Sequence, residues 1–182
     1  MSSTAVIFLI VALVAIAVAA AMFLQLQRTR KLKTRFGPEY DRAVQQLGNT
    51  RRAEAALDAR ERRVAKYRIR PLTVEERADF SARWRDVQES FVDDPQRAVL
   101  DADSLIDRAL EACGYPMTDF DQQASDLSVD HGAVVEHYRL AHAIAKKNRP
   151  ATEELRIAMQ HYRTLFEDLL ETGSHTHEEV RR

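Results

Sequence analysis

The chain has 182 residues, a net charge of −1 and 45% hydrophobic residues; with an apolar N-terminal run set aside, enough remains for one domain. Its single cysteine, Cys113, excludes an intrachain disulfide and a multi-cysteine zinc site and fits a reducing compartment. Residues 28–70 carry 14 Lys/Arg against 5 Asp/Glu and residues 71–182 carry 13 against 23, so the two parts attract each other or are drawn to different partners.

Ala5 to Leu24 contains no charge and no strongly polar side chain. As a helix it is ~30 Å long, the thickness of a bilayer's hydrocarbon core. It is apolar on every side, which argues against a buried core helix. Met1 to Thr4 has no basic residue, as a signal peptide would, although Ala17-Val18-Ala19 fits a cleavage site and keeps secretion as an alternative. Arg28, Arg30, Lys31, Lys33 and Arg35 follow the run. By the positive-inside rule they place the N-terminus outside and the rest of the chain in the cytoplasm. The same five side chains are candidates for contact with anionic lipid heads or with a partner.

Gly37-Pro38 is the first break, with Pro38 suited to a first helical turn. Glu39 to about Tyr67 reads as one long helix, weakened at Gly48-Asn49, whose charged second half suggests a protruding stalk with coiled-coil character. Pro71 ends it. Thr73 and Glu76 have capping-box spacing, and Phe80, Trp84, Val87 and Phe91 recur at helical period after them. Asp94-Pro95 starts the next helix, which runs to about Cys113 with Val99, Ala102, Ile106, Ala109 and Leu110 on one face. Gly114 and Pro116 stop it. Asp119 to Leu127 reads as a short helix. Ser128 or Asp130 is expected to cap a helix reaching about Asn148, with Val134, Tyr138, Ala141 and Ala145 inward. After Pro150, Thr152 is the expected N-cap of a last helix with Leu155, Met159, Tyr162, Phe166 and Leu169 on its apolar face, closed by Gly173. No segment alternates as a strand does. The expected fold is all-α: a transmembrane anchor (1–27), a basic juxtamembrane helix or stalk (28–70), an acidic antiparallel helical bundle (71–173) and a disordered tail (174–182).

The tripeptide His-Tyr-Arg occurs twice, at His137-Tyr138-Arg139 and His161-Tyr162-Arg163. With His131 and His142 nearby, the set His131, Tyr138, Arg139, His142, His161, Tyr162 and Arg163 defines a possible ligand pocket. Amphipathic boundary positions account for the same residues without any ligand. There is no Glu-x-x-His pair and no H-E-x-x-H, so no metal or other cofactor is implied. His175 and His177 offer only a weak pair. Ser128, Asp130 and His131 superficially resemble parts of a nucleophilic triad, but an ordinary helix start with Ser or Asp as cap is the preferred reading. Arg51 to Arg70, with eight Lys/Arg and Tyr67 as its only aromatic, supports at most weak non-specific nucleic-acid binding.

Phe36-Gly37-Pro38-Glu39-Tyr40-Asp41, Phe91-Val92-Asp93-Asp94-Pro95, Gly114-Tyr115-Pro116, Leu127-Ser128-Val129-Asp130-His131 and the final His161-Tyr162-Arg163-x-Leu165-Phe166 resemble a family of uncharacterised bacterial proteins with one N-terminal apolar segment before a helical region. The resemblance spans most of residues 36–170 and implies bacterial origin and membrane association. It implies no activity or catalytic residues, and some members look secreted. The chain is thus expected to be a membrane-anchored, non-enzymatic interaction or scaffold module. The alternatives are a ligand-binding or enzymatic bundle built on the His/Tyr/Arg cluster, and weak nucleic-acid binding.

Overall fold

The computed structural model describes residues 3–179, with side chains placed over 11–171. Among them it is helical throughout, with eight helices and no strand. Helix α1 (Ser3–Phe36) carries the apolar run and the basic cluster as one unbroken element. It is long and apolar enough to cross a membrane, a test that an N-terminal signal sequence also passes. From Val11 to Leu24 its apolar stretch is exposed, but one turn past Arg28 the helix enters the protein interior: Leu32 and Phe36 are fully buried. Burying two such side chains contributes about 1.5–3 kcal/mol each.

The expected stalk is a helical hairpin. The chain reverses at the single residue Gly37, and α2 (Pro38–Leu47) ends at Gly48, whose φ of +62° is the left-handed conformation of a glycine C-cap. Asn49 then caps α3 (Thr50–Val64), its side chain accepting from Arg52 N at 3.2 Å. The hairpin packs on the end of α1 around a small core of Leu32, Phe36, Tyr40, Ala43, Ala53, Leu57 and Val64, closed by Val129. Folding back buries Ala53 and Leu57, which a free helix would leave in water.

Helices α4 (Val74–Ser90), α5 (Pro95–Ala112), α6 (Phe120–Leu127), α7 (Val135–Ala145) and α8 (Thr152–Glu179) form the bundle. Thr73 and Glu76 make both hydrogen bonds of a capping box, and Asp94 and Asp119 cap α5 and α6. The expected apolar faces meet in one core, where Trp84 stacks on Phe166 at 4.7 Å. Three boundaries differ from expectation. Helix α7 begins only at Val135, without a side-chain cap, because residues 128–134 turn instead to pack on α1. Thr152 is the first residue of α8 rather than its cap; Glu154 accepts from Ala151 N at 3.0 Å. Gly173 does not close α8, which continues to Glu179. The side chains of His175 and His177 and the end of the expected tail lie outside the described residues.

Candidate functional site

The basic segment of α1 lies against α3. Arg28 pairs with Asp58, Lys31 with Glu61 at 3.5 Å, and Arg35 with Glu61 at 2.7 Å and Asp130 at 3.3 Å. The Lys33 ammonium lies 5.2 Å from the Tyr40 ring centroid. With Arg30, these are the five side chains that the sequence offers for contact with lipid heads or a partner. Arg28, Lys31 and Arg35 are bonded to the domain's own carboxylates, and among the described residues Arg30 and Lys33 have no carboxylate partner. Between α1 and the hairpin, buried Glu54 accepts from the Thr29 hydroxyl at 2.6 Å and the Tyr40 hydroxyl at 3.1 Å. Burial, followed by the Glu54 carboxylate, raises the Tyr40 phenol above its ordinary range.

The hairpin in turn is held to the bundle by charge. Glu39, with a side chain 2% exposed, accepts from Arg60 at 2.8 Å and from both Nη atoms of Arg139 at 2.6 and 3.0 Å. Arg60 also donates to Ser128 Oγ at 3.2 Å. Asp126, equally buried, accepts from Arg63, from the Tyr67 hydroxyl at 2.8 Å and from the Gln122 amide at 2.8 Å. Arg42 pairs with Glu136. The opposite charges of the two chain regions thus neutralise each other across this interface. Arg42, Arg60, Asp119, Asp121, Ser125 and Arg139 line a polar cleft of about 510 Å3, and its three arginines are bonded to Glu39 and Glu136. The basic stretch proposed for nucleic acid is similarly divided: Arg60, Arg63 and Tyr67 face the bundle, and Arg70 forms a two-pronged pair with Glu76 at 2.7 Å.

The seven residues of the expected ligand pocket do not converge. Tyr138, His142 and Tyr162 meet at α5, where Tyr162 donates to Asp103 at 2.7 Å, His142 Nδ1 lies 3.3 Å from the same carboxylate, and Tyr138 donates to Asp107 at 3.2 Å. Phe120 stacks on His142 at 3.7 Å and covers the group. His161 is elsewhere, its Nδ1 2.7 Å from that of His137, so one ring donates and the other accepts. Burial and the neighbouring His137 lower its basicity. Arg139 is held by Glu39, and Arg163 pairs with Glu167 on the exposed face of α8 at 2.7 Å. His131 pairs with Asp168.

His131 borders a cavity of about 320 Å3, together with Ile69, Pro71, Cys113, Tyr115 and Leu169. Tyr115 donates to Asp130 at 3.2 Å, whose other oxygen accepts from Arg35 of α1. Burial pushes the Cys113 thiol up to about 11, so it is protonated at neutral pH and a weak nucleophile. Among the described residues no group of three or more His, Cys, Asp or Glu is arranged to hold a metal.

No family model, no curated protein and no solved structure matches this chain.

The site residues that sequence reasoning missed are the acids Asp103, Asp107, Glu39 and Asp168. Asp103 and Asp107 stand one turn apart beside the apolar stripe of α5, a spacing legible in the sequence. Burial opposes ionisation of Asp103, but hydrogen bonds from His142 and Tyr162 hold it below the usual carboxylate range. Burial, then the Asp103 charge, raises Asp107. A carboxylate pair split in this way can move a proton, but here both members are bonded to aromatic hydroxyls under the Phe120–His142 stack, and the arrangement acts to fix helix positions.

Proposed function

We propose that this chain is a non-enzymatic interaction module anchored by α1 in a bacterial cell membrane, its N-terminus outside and its helical domain held against the cytoplasmic face. The observation that carries the reading is the continuity of α1: the helix leaves the apolar stretch and, without a linker, buries Leu32 and Phe36 in the domain. A domain fixed in this way cannot swing on a tether, so it presents defined faces at a defined height to anything that meets it at the bilayer. The paired state of the ionisable side chains supports a structural role for them, since the arginines of the polar cleft are taken up by Glu39 and Glu136. The partner would meet the faces that remain, which are helical and charged.

Expression of the full chain followed by alkaline carbonate washing tests the reading. The expected result is an intact chain, residues 1–27 included by mass, in the membrane pellet, with the domain protected from protease added outside the cell. A shortened chain in the medium, starting near Ala20, would overturn it in favour of secretion.

A further inference from the structure

We infer that the tip of the α2–α3 hairpin, Leu47 to Arg52, rests on the bilayer that holds α1 and binds its anionic lipid heads, making a second contact with the membrane. The inference rests on the anchored reading above and adds to it a site on a different element. The height of the tip comes from side-chain register. Thr29 bonds Glu54, Arg28 bonds Asp58, and Lys31 and Arg35 bond Glu61. Numbers rise together on the two helices, so α3 runs parallel to α1 and α2 returns toward the membrane between them. Thr50 lies four residues before Glu54, ~6 Å back along the axis, which brings it level with Gln25. That is where the apolar run ends, and the head-group layer beyond it is about 5–8 Å deep.

The tip carries what such a layer binds. Leu47 is an apolar side chain left 43% exposed at the end of α2. Arg51 and Arg52 follow it, exposed and without a carboxylate partner among the described residues. They occupy the first turn of α3, which contains no acidic residue. Cations there oppose the helix dipole, which favours anions at a helix N-terminus. Lipid phosphate supplies the missing negative charge, and Leu47 enters the boundary with the acyl chains. Two contacts, α1 and the tip, would set the rotation of the domain about the anchor as well as its height.

The test uses the full chain in vesicles with Leu47→Cys carrying an environment-sensitive fluorophore, and Ala65→Cys as the reference. Ala65 is exposed at the far end of α3, ~20 Å from the tip. Cys113 is buried, and an unlabelled wild type under the same conditions confirms that it does not report. In phosphatidylglycerol-containing vesicles the Leu47 label is expected to be quenched at least about threefold more strongly than the Ala65 label by lipids spin-labelled near the head group. That difference is expected to shrink in phosphatidylcholine alone and in R51E/R52E, whose unchanged helical circular dichroism confirms folding. Equal quenching of both labels by aqueous iodide, in chains that still float with the vesicles, would overturn the inference and leave the anchored reading standing. A Leu47 label indifferent to head-group charge and to R51E/R52E would remove the assignment to anionic lipid. Loss of flotation would count against the anchored reading itself.

Discussion

Replacing Glu39 by Gln tests what joins the α2–α3 hairpin to the bundle. The substitution keeps shape and removes one negative charge from a side chain only 2% exposed, facing Arg60 and Arg139. Breaking a buried ion pair from one side typically costs about 3–5 kcal/mol because the remaining charge is stranded. Here the arginines keep 17% and 15% exposure and border the polar cleft, so water reaches them and the expected loss is about 2–3 kcal/mol. For a domain of this size that corresponds to a fall in Tm of about 4–12 °C. Thermal unfolding of the full chain in detergent, followed by helical circular dichroism, measures it. Glu167→Gln is the control, since Glu167 and Arg163 are more than half exposed and such a pair contributes within about 0.5 kcal/mol. Hydrogen exchange should also rise across α2 in Glu39→Gln and stay unchanged in the control. If both variants melt within a degree of each other, the triad does not hold the hairpin and the account of this interface is wrong.

Gly132→Ala places a methyl 2.6 Å from the Phe36 carbonyl oxygen, a backbone atom at the end of α1. The resulting overpacking is expected to cost about 1–3 kcal/mol in the same melt. Cys113, with its thiol pushed from 9.0 up to about 11 by burial, should react with maleimide about 100-fold more slowly in the native chain than in urea at the same pH. The Arg70 guanidinium, then the Thr73 backbone N–H, hold the Glu76 carboxyl at about 2, against 4.5 when unperturbed. A depressed carboxyl stabilises the fold above its unfolded value and ceases to do so as pH falls through its folded one. Glu76→Gln should therefore melt lower than the parent at pH 6, and the gap should close between pH 4.5 and 2. His161 is also shifted downward, below 6.5, which for a base means that the folded state resists its protonation. The parent should lose stability as pH drops below 6.5, and His161→Gln should lose less.

The bundle was legible because its signals are local. Thr73-x-x-Glu76, Asp94-Pro95 and the Phe80/Trp84 and Leu155/Tyr162/Phe166 stripes each fix a helix with residues no more than a few turns apart, and the structure keeps all of them. The hairpin was not. Gly48-Asn49 carries a C-cap and an N-cap side by side, but apolar residues recur on both sides of it, and a local reading joins the halves into one helix. What separates them is burial of Ala53 and Leu57 against Leu32 and Phe36, a contact between segments over twenty residues apart. The two His-Tyr-Arg tripeptides show the same limit. Both tyrosines point inward as their stripes require, yet Arg139 meets a buried carboxylate on α2 and Arg163 meets solvent and Glu167. The difference lies wholly in what packs across from each helix. Glu39 gave no warning because an acid in a first helical turn is already explained by the dipole.

The charge asymmetry was legible only as a sum, and its distribution carries the functional argument. Arg35, Arg42 and Arg63 are bonded to Asp130, Glu136 and Asp126, so part of the basic excess glues α1 and the hairpin to the acidic bundle. Among the described residues of 28–70, the cations without carboxylate partners are Arg30 and Lys33 on α1 and two groups at the ends of α3. Arg51 and Arg52 lie at one end, level with the close of the apolar run, and Arg62, Lys66 and Arg68 lie at the other. What sets the first group apart is the exposed Leu47 beside it; the inferred lipid contact rests on that pairing of cations with an apolar side chain.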